Sequence, residues 1–234
     1  MDELNVILPV FNERESLEAV LSEWKKNIDK LAIRYHFIIC EDGSSDGTKE
    51  LLRTIKNRYK LILKQKNERR GYGRAMIDGI KNAKAKYILC IDSDGQCDPK
   101  DFKIFWQNRD EAGIILGRRT KRADPLHRMI FSTFFRLVYF VLFSSNIKDP
   151  SCPYVLFKKN TVVPYLNKLV YLNEGFWWGF SGVVVLKNFS LYQIKINHRK
   201  RFKGDTHVYK LTNILDIAIR NIVGLIRLRF TNLK

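Results

Sequence analysis

Short, mostly apolar runs alternate with helix-spaced segments through the first half of this chain, and no other feature restricts its fold as tightly. Leu4–Val10, Tyr35–Cys40, Lys60–Lys64, Tyr87–Ile91 and Gly113–Leu116 read as strands. Between them, Arg14–Lys30 puts Leu17, Val20, Leu21 and Trp24 on one helical face, and Thr48–Arg58 and Gly71–Lys84 also read as helices. Asp98-Pro99 opens one more helix, to about Asn108. Strands that lack polar alternation are buried on both faces, so these β-α-β units predict an α/β fold with a mostly parallel central sheet flanked by helices. In such sheets ligands sit beyond the carboxyl ends of the strands. The acidic turns Glu41-Asp42 and Asp92-Ser93-Asp94 lie at those ends.

The second half reads differently. Pro125–Phe143 and Leu211–Phe230 are long amphipathic helices, Asn173–Leu186 is helical with Trp177-Trp178, and Tyr154–Phe157 and Ser190–Asn197 are strands. In the last helix Asn213, Asp216, Arg220, Gly224 and Arg227 mark the polar side, and Ile214, Leu215, Ala218, Ile222, Leu225 and Ile226 the apolar side. With no repeat, low-complexity tract or linker, the expectation is one domain over residues 1–234, in two halves, 1–117 and 118–234.

Charge separates the halves. Residues 1–116 hold 21 basic and 19 acidic side chains and residues 117–234 hold 21 and 5, so 16 of the 18 net positive charges lie in the second half. Such asymmetry points to a polyanionic partner: nucleic acid, an anionic membrane surface or a phosphate-bearing substrate. An apolar content of 45% with 12% aromatics excludes a disordered chain. Cys40, Cys90, Cys97 and Cys152 have no paired spacing and read as reduced thiols, which excludes a disulfide scaffold and a zinc site. The acidic start Met1-Asp2-Glu3-Leu4 does not look like a secretory signal. The apolar stretch Met129–Ser145 is broken by Arg136 and falls short of the roughly 20 residues of a membrane span. The expectation is a cytoplasmic protein, free or peripheral on the cytoplasmic face of a membrane.

Two carboxylates at i and i+2 where a buried strand leaves the sheet read either as a solvated turn, since Asp, Ser and Gly are turn residues, or as ligands of a cation. Asp92 and Asp94, with the Gln96 amide turned back by Gly95, form an oxygen-donor set suited to Mg or Mn that leaves positions for phosphate. Glu41 and Asp42, on the same sheet edge, can accept hydrogen bonds from a base N–H or a ribose hydroxyl. Asp46 reads as the cap of the helix that follows.

Seven segments in order then resemble family 2 glycosyltransferases of the GT-A fold, of the dolichol-phosphate mannose synthase type. They are Leu8-Pro9-Val10-Phe11-Asn12-Glu13, Glu41-Asp42-Gly43-Ser44-Ser45-Asp46-Gly47-Thr48, Arg70-Gly71-Tyr72-Gly73-Arg74-Ala75 with Gly79, Asp92-Ser93-Asp94-Gly95-Gln96 with Asp98-Pro99, Gly117-Arg118-Arg119 with Arg122, Arg128 with Ser132, and His198 to Thr206. The resemblance implies a nucleotide-sugar-binding half at 1–117 and an acceptor-binding half at 118–234. It implies that Pro9, Phe11, Glu13, Glu41 and Asp42 hold base and ribose. By the same resemblance Asp92, Asp94 and Gln96 bind the metal and diphosphate, and Arg118, Arg128, Ser132 and Arg201 meet donor and acceptor phosphates. Asp94, Arg118, Arg128 and Arg201 would then carry catalysis. Phe11 stands where the family has Tyr, Glu41 where it has Asp, and the transmembrane helices of some members are missing.

The implied reaction moves a hexose from a GDP-mannose or UDP-glucose type donor to a polyprenyl or dolichyl phosphate at a membrane surface, with a divalent cation and inversion at the anomeric carbon. A lipid monophosphate is already largely anionic at neutral pH, with a second pKa near 6, and needs cations rather than a base. Arg118, Arg119, Arg122, Arg128, Arg199 and Arg201 supply them. A glycan or other hydroxyl acceptor would need a base, for which Glu174, Asp149 and His198 are the candidates. A basic nucleic-acid-binding module is the rival of another class. It lacks a recognition motif here, and paired carboxylates repel a phosphate chain, so nucleic acid is not the expected partner. No feature speaks to the oligomeric state.

Overall fold

The computed structural model describes residues 2–120, 126–202 and 214–231, with side chains from 133 onward in the helix that begins at 126 and from 216 onward in the helix that begins at 214. In order the elements are β1 (Leu4–Val10), α1 (Leu17–Asp29), β2 (Tyr35–Asp42), α2 (Thr48–Ile55), β3 (Leu61–Lys66), α3 (Tyr72–Asn82) and β4 (Tyr87–Cys90). A 3-10 turn at Pro99–Asp101 leads into α4 (Phe102–Gln107), followed by β5 (Ile114–Arg119), α5 (Leu126–Phe143) and β6 (Val155–Lys158). Then come α6 (Lys159–Val162), a 3-10 stretch at Val163–Leu169, α7 (Phe176–Leu186), β7 (Leu191–Ile196) and α8 (Ile214–Phe230). Helix α1 starts three residues later than the apolar spacing predicts, because Glu13 O accepts from both Ser16 N and Leu17 N and closes a turn first.

One sheet takes strands from both halves, in the order β3-β2-β1-β4-β6-β5-β7. It is parallel except for β6, which runs antiparallel to β4 and β5. The strand order turns around at β1, which has β2 on one side and β4 on the other. That switch point opens a crevice beyond the carboxyl ends of β1 and β4. The register sets its walls: Val10 pairs with Glu41, and Ile7 with Cys90, two residues before Asp92.

Each face of the sheet has its own core. Trp24, Phe37, Phe102, Phe105 and Tyr154 pack under α1, α2 and α4, with Phe105 stacked on Tyr154 at 4.4 Å. Met76, Ile80, Tyr139, Phe143, Phe176 and Phe180 pack under α3, α5, α7 and α8. Helix α3 lies directly on the strands. A Cβ added at Gly79 would sit 2.5 Å from Ile7 Cγ2 and 2.7 Å from Cys40 Sγ. Gly79→Ala is therefore expected to destabilise the fold by about 1–3 kcal/mol through overpacking. A urea midpoint equal to that of the native chain would contradict this.

The face expected of the last helix is corrected. Gly224 is buried rather than on the polar side, because its missing Cβ lets α8 close onto Leu172, and Asn221 is buried against Gly175. Ile217, Leu225 and Leu228 complete the inward face, whereas Ile226 is exposed. Asn213, Ile214 and Leu215 lie outside the described side chains.

Candidate active site at the switch crevice

Loops after β1, β2 and β4, with a strap from the second half, build the crevice. The first follows β1, where Phe11, Asn12 and Glu13 leave the strand and Asn12 takes a left-handed backbone (φ 54°). It is laced to the loop after β2: Asn12 N donates to Ser44 Oγ, Ser45 N to Asn12 Oδ1, Glu13 N to Thr48 Oγ1 and Arg14 N to Asp46 Oδ2. Asp46 also receives Thr48 N at 3.0 Å, the capping role expected of it. Glu41 accepts Ser44 N through Oε1. Both Asp42 oxygens accept backbone N–H groups, from Arg70 at 2.9 Å and Gly71 at 2.7 Å, so Asp42 ties the glycine-rich segment to the end of β2. The Arg69 guanidinium lies over the Phe11 ring at 4.1 Å. Pro9 is buried within β1, opposite Cys40.

The loop after β4 carries the carboxylate pair. Asp94 Oδ1 accepts Gln96 N at 3.0 Å, and Gly95 takes φ 78°, the turn expected of it. Burial, then the Asp94 charge, pushes Asp92 up to about 7, against the pull of the Tyr72 hydroxyl, Arg119 and Arg201. A half-buried carboxylate pair, one member held above its ordinary range by desolvation and a like neighbour, is the donor set a hard divalent cation relieves, so Asp92 and Asp94 fit such an ion. The described residues contain no cluster of three or more His, Cys, Asp or Glu able to hold a metal.

The third wall is a strap, residues 198–202, the described part of the segment in which the resemblance gave Arg201 a phosphate-binding role. His198 bridges to Cys97, Arg199 N donates to Gln96 O, Arg199 Nε to Gly95 O, and Phe202 N to Asp94 O. The Gln96 amide donates to Arg199 O at 3.4 Å, so it meets the strap. The Phe202 ring covers Gly95, where an added Cβ would lie 2.8 Å away. Arg201 reaches in to pair with Glu13 and stands 3.9 Å from Asp94 Oδ2. Burial raises the Glu13 pKa, while the Ser16 hydroxyl and Arg201 oppose that.

Glu13, Asp92, Asp94, Gln96 and Arg201 thus meet at one place, with Phe11, Glu41 and Asp42 in the adjoining loops. Arg118 and Arg119 alternate along the end of β5: Arg118 is exposed, and Arg119 turns inward into a bidentate pair with Asp149 at 2.7 and 2.8 Å. Asp149 is committed to that pair and is not an available base. The side chains of Arg122, Arg128 and Ser132 lie outside the described residues, as do positions 203–206. Sequence reasoning missed Tyr72, Asn173 and Trp177. Tyr72 donates to Asp92 Oδ1 at 2.7 Å, and its motif had been noted without a role for its side chain.

A mostly parallel sheet with a carboxylate pair at its switch crevice, facing an aromatic ring and an arginine strap, defines a GT-A nucleotide-diphospho-sugar transferase fold. The chain belongs to glycosyl transferase family 2, whose sequence profile matches residues 5–169. It is 29% identical over 178 residues to a dolichyl-phosphate beta-glucosyltransferase of Dictyostelium discoideum, covering 68% of this chain and 54% of that protein. It is 34% identical over 128 residues to an undecaprenyl-phosphate 4-deoxy-4-formamido-L-arabinose transferase of Aeromonas hydrophila, covering 53% and 39%. The chain spans about half the length, or less, of these curated relatives. Among solved structures, glucosyl-3-phosphoglycerate synthase of Mycobacterium tuberculosis, crystallised with Mn2+, UDP and phosphoglyceric acid, superposes with a TM-score of 0.73 at 15% identity, covering 99% of this chain and 80% of the other.

Proposed function

We propose that this chain transfers a hexose from a nucleotide diphospho-sugar, of the GDP-mannose or UDP-glucose type, to a polyprenyl or dolichyl phosphate at a membrane surface. The observation that carries the reading is the Asp92–Asp94 pair at the switch crevice with Arg201 laid across it from the strap. Asp92 and Asp94 would hold Mg or Mn, which when bound neutralises charge on the departing diphosphate. Phe11 offers its ring to the base, with the Arg69 guanidinium on its face. A unit charge pair at 4 Å is worth roughly 4 kcal/mol at an effective dielectric near 20, so Arg201 alone can change the barrier greatly. A phosphate acceptor needs no proton removed, which agrees with Asp149 being bound to Arg119. Lipid-phosphate acceptors in the names of both curated relatives support the same acceptor class. The test is product release from a donor panel, GDP-mannose and UDP-glucose included, with and without polyprenyl phosphate. Transfer to hydroxyl acceptors alone would overturn the acceptor, and salt-sensitive DNA binding with no transfer would overturn the enzyme.

The membrane surface is part of this proposal. No described helix is long and apolar enough to cross a membrane. Helices α5 and α8 lie side by side, joined by Arg229 Nε to Leu142 O, and both turn apolar residues outward. These are Phe134, Leu137, Phe140 and Val141 on α5, and Ile219, Val223, Ile226 and Phe230 on α8. Arg136, Arg220, Arg227 and Arg229 are exposed around them, against the single described acid Asp216. Bulky apolar residues rimmed by arginines fit an anionic bilayer interface. Replacing Phe140, Val223 and Phe230 together by Ser is expected to cut flotation with anionic liposomes at least ~10-fold, since each buried CH2 is worth about 0.8 kcal/mol. Equal flotation of both proteins would remove these helices from the membrane argument.

A further inference from the structure

The carboxylate pair is reached from behind by a segment of the second half. Trp177, at the start of α7, donates its indole N–H to the Tyr72 hydroxyl at 2.6 Å, and Tyr72 O–H donates to Asp92 Oδ1 at 2.7 Å. The direction of this relay is fixed by chemistry. An indole nitrogen is a donor only, so Tyr72 accepts from it and its own proton stays available for Asp92. Trp177 is buried, packed edge-on to Phe176 and Phe180.

The same segment also holds the helix that carries Tyr72. Gly71 precedes α3 and has no side chain to cap it. Asn173 does so from outside: its Oδ1 accepts Gly73 N at 2.9 Å and Arg74 N at 3.3 Å, and its backbone oxygen accepts Gly73 N as well. The fit leaves no room for a side chain. A Cβ at Gly71 would lie 1.8 Å from Asn173 Nδ2, and one at Gly73 would lie 2.8 Å from Asn173 O. The glycines flanking Tyr72 leave the space that Asn173 fills, and Gly71 also takes φ 99°, a conformation that favours glycine. One short segment, residues 173–177, thus supplies both the cap that fixes the first turn of α3 and the donor that orients Tyr72.

We propose that Tyr72 is a positioning residue for Asp92, held by Asn173 and Trp177, so that the start of α7 in the second half sets the geometry of the cation-binding carboxylates. This rests on the metal role proposed above for Asp92. Partners of this kind, one shell behind a ligand, change metal affinity about 10–100-fold when removed. Tyr72→Phe removes only the hydroxyl, and Trp177→Phe removes only the N–H donor and part of a ring.

The experiment follows Mn2+ uptake by the full chain through the electron paramagnetic resonance of the free ion. Tyr72→Phe is expected to weaken binding about tenfold or more. Trp177→Phe should weaken it less, and the double variant should bind no more weakly than Tyr72→Phe, because Trp177 acts through Tyr72. A second measurement is independent of folding yield. The indole N–H proton resonance of Trp177, assigned by its loss in Trp177→Phe, should move when Mg2+ is added to the native chain and stay still in Tyr72→Phe. Unchanged Mn2+ affinity in Tyr72→Phe, additive losses in the double variant, or an indole resonance indifferent to Mg2+ in a chain that binds it would each overturn the relay alone. A native chain that takes up neither ion would overturn the metal reading and the relay with it.

Discussion

Asp94→Asn is expected to lower sugar transfer by on the order of 10³-fold while leaving the metal-free fold at least as stable as the native one. The amide keeps the shape of the side chain and an oxygen for Gln96 N, which Asp94 Oδ1 now accepts at 3.0 Å. What it loses is the charge that a divalent cation needs. The stability half of the expectation comes from the neighbour. Burial first, and the Asp94 charge second, hold Asp92 at about 7, above the ordinary carboxylate value of 3.8. A carboxyl whose pKa is higher folded than unfolded stabilises the fold where it is protonated. That contribution is fully present below about pH 4 and is lost as pH rises through about 7. Without the Asp94 charge, Asp92 ionises at lower pH, and the metal-free variant should lose less stability than the native chain between about pH 5 and 8. Turnover with Mn2+ or Mg2+, read beside thermal unfolding at both ends of that range, checks both halves. Undiminished turnover would refute the metal role of the pair.

The reason such a pair could be found without coordinates is that its determinants are local. The strands are short apolar runs, and the acidic turns stand at their carboxyl ends, so the period of the pattern and the chemistry of the turns together place Asp92, Asp94, Glu41 and Asp42 on one edge. What escaped was tertiary. The antiparallel direction of β6 is seen only in its pairing with β4 and β5, and the residues of the strand do not encode it. The extension of β5 to Arg119 sends Arg118 outward and Arg119 inward by simple alternation, and this decides which arginine meets Asp149. Gly224 counts as polar in a helical pattern but serves as a gap for Leu172. Tyr72 and Trp177 are 105 residues apart, and no periodicity joins them. The strap was visible as a basic run from His198. That Arg199 and Phe202 bind it to the backbone of residues 94–96 was not, because the contacts join two loops about 100 residues apart, mostly through backbone N–H groups.

The strap is also where the second large effect is expected. Arg201→Ala should reduce turnover on a polyprenyl phosphate about 10²-fold and raise its KM, with nucleotide affinity changed less than about threefold. In the donor-free protein the Arg201 guanidinium balances Glu13 and stands near Asp94. Removing it leaves Glu13 buried without that partner, which would ordinarily destabilise the fold. Here the loss is softened, because burial already raises the Glu13 pKa and the side chain can take a proton instead. The catalytic loss is not softened, since no proton replaces a guanidinium facing an anionic acceptor. Arg201→Lys separates charge from shape: it keeps the cation and loses the two-pronged fork, so it should recover part of the turnover and little of the KM. Glu13→Gln adds the remaining control, because it frees Arg201 from its buried partner and should leave acceptor KM the same or lower. Equal loss of nucleotide binding and acceptor use in Arg201→Ala would place the guanidinium on the donor and sink its assignment to the lipid phosphate.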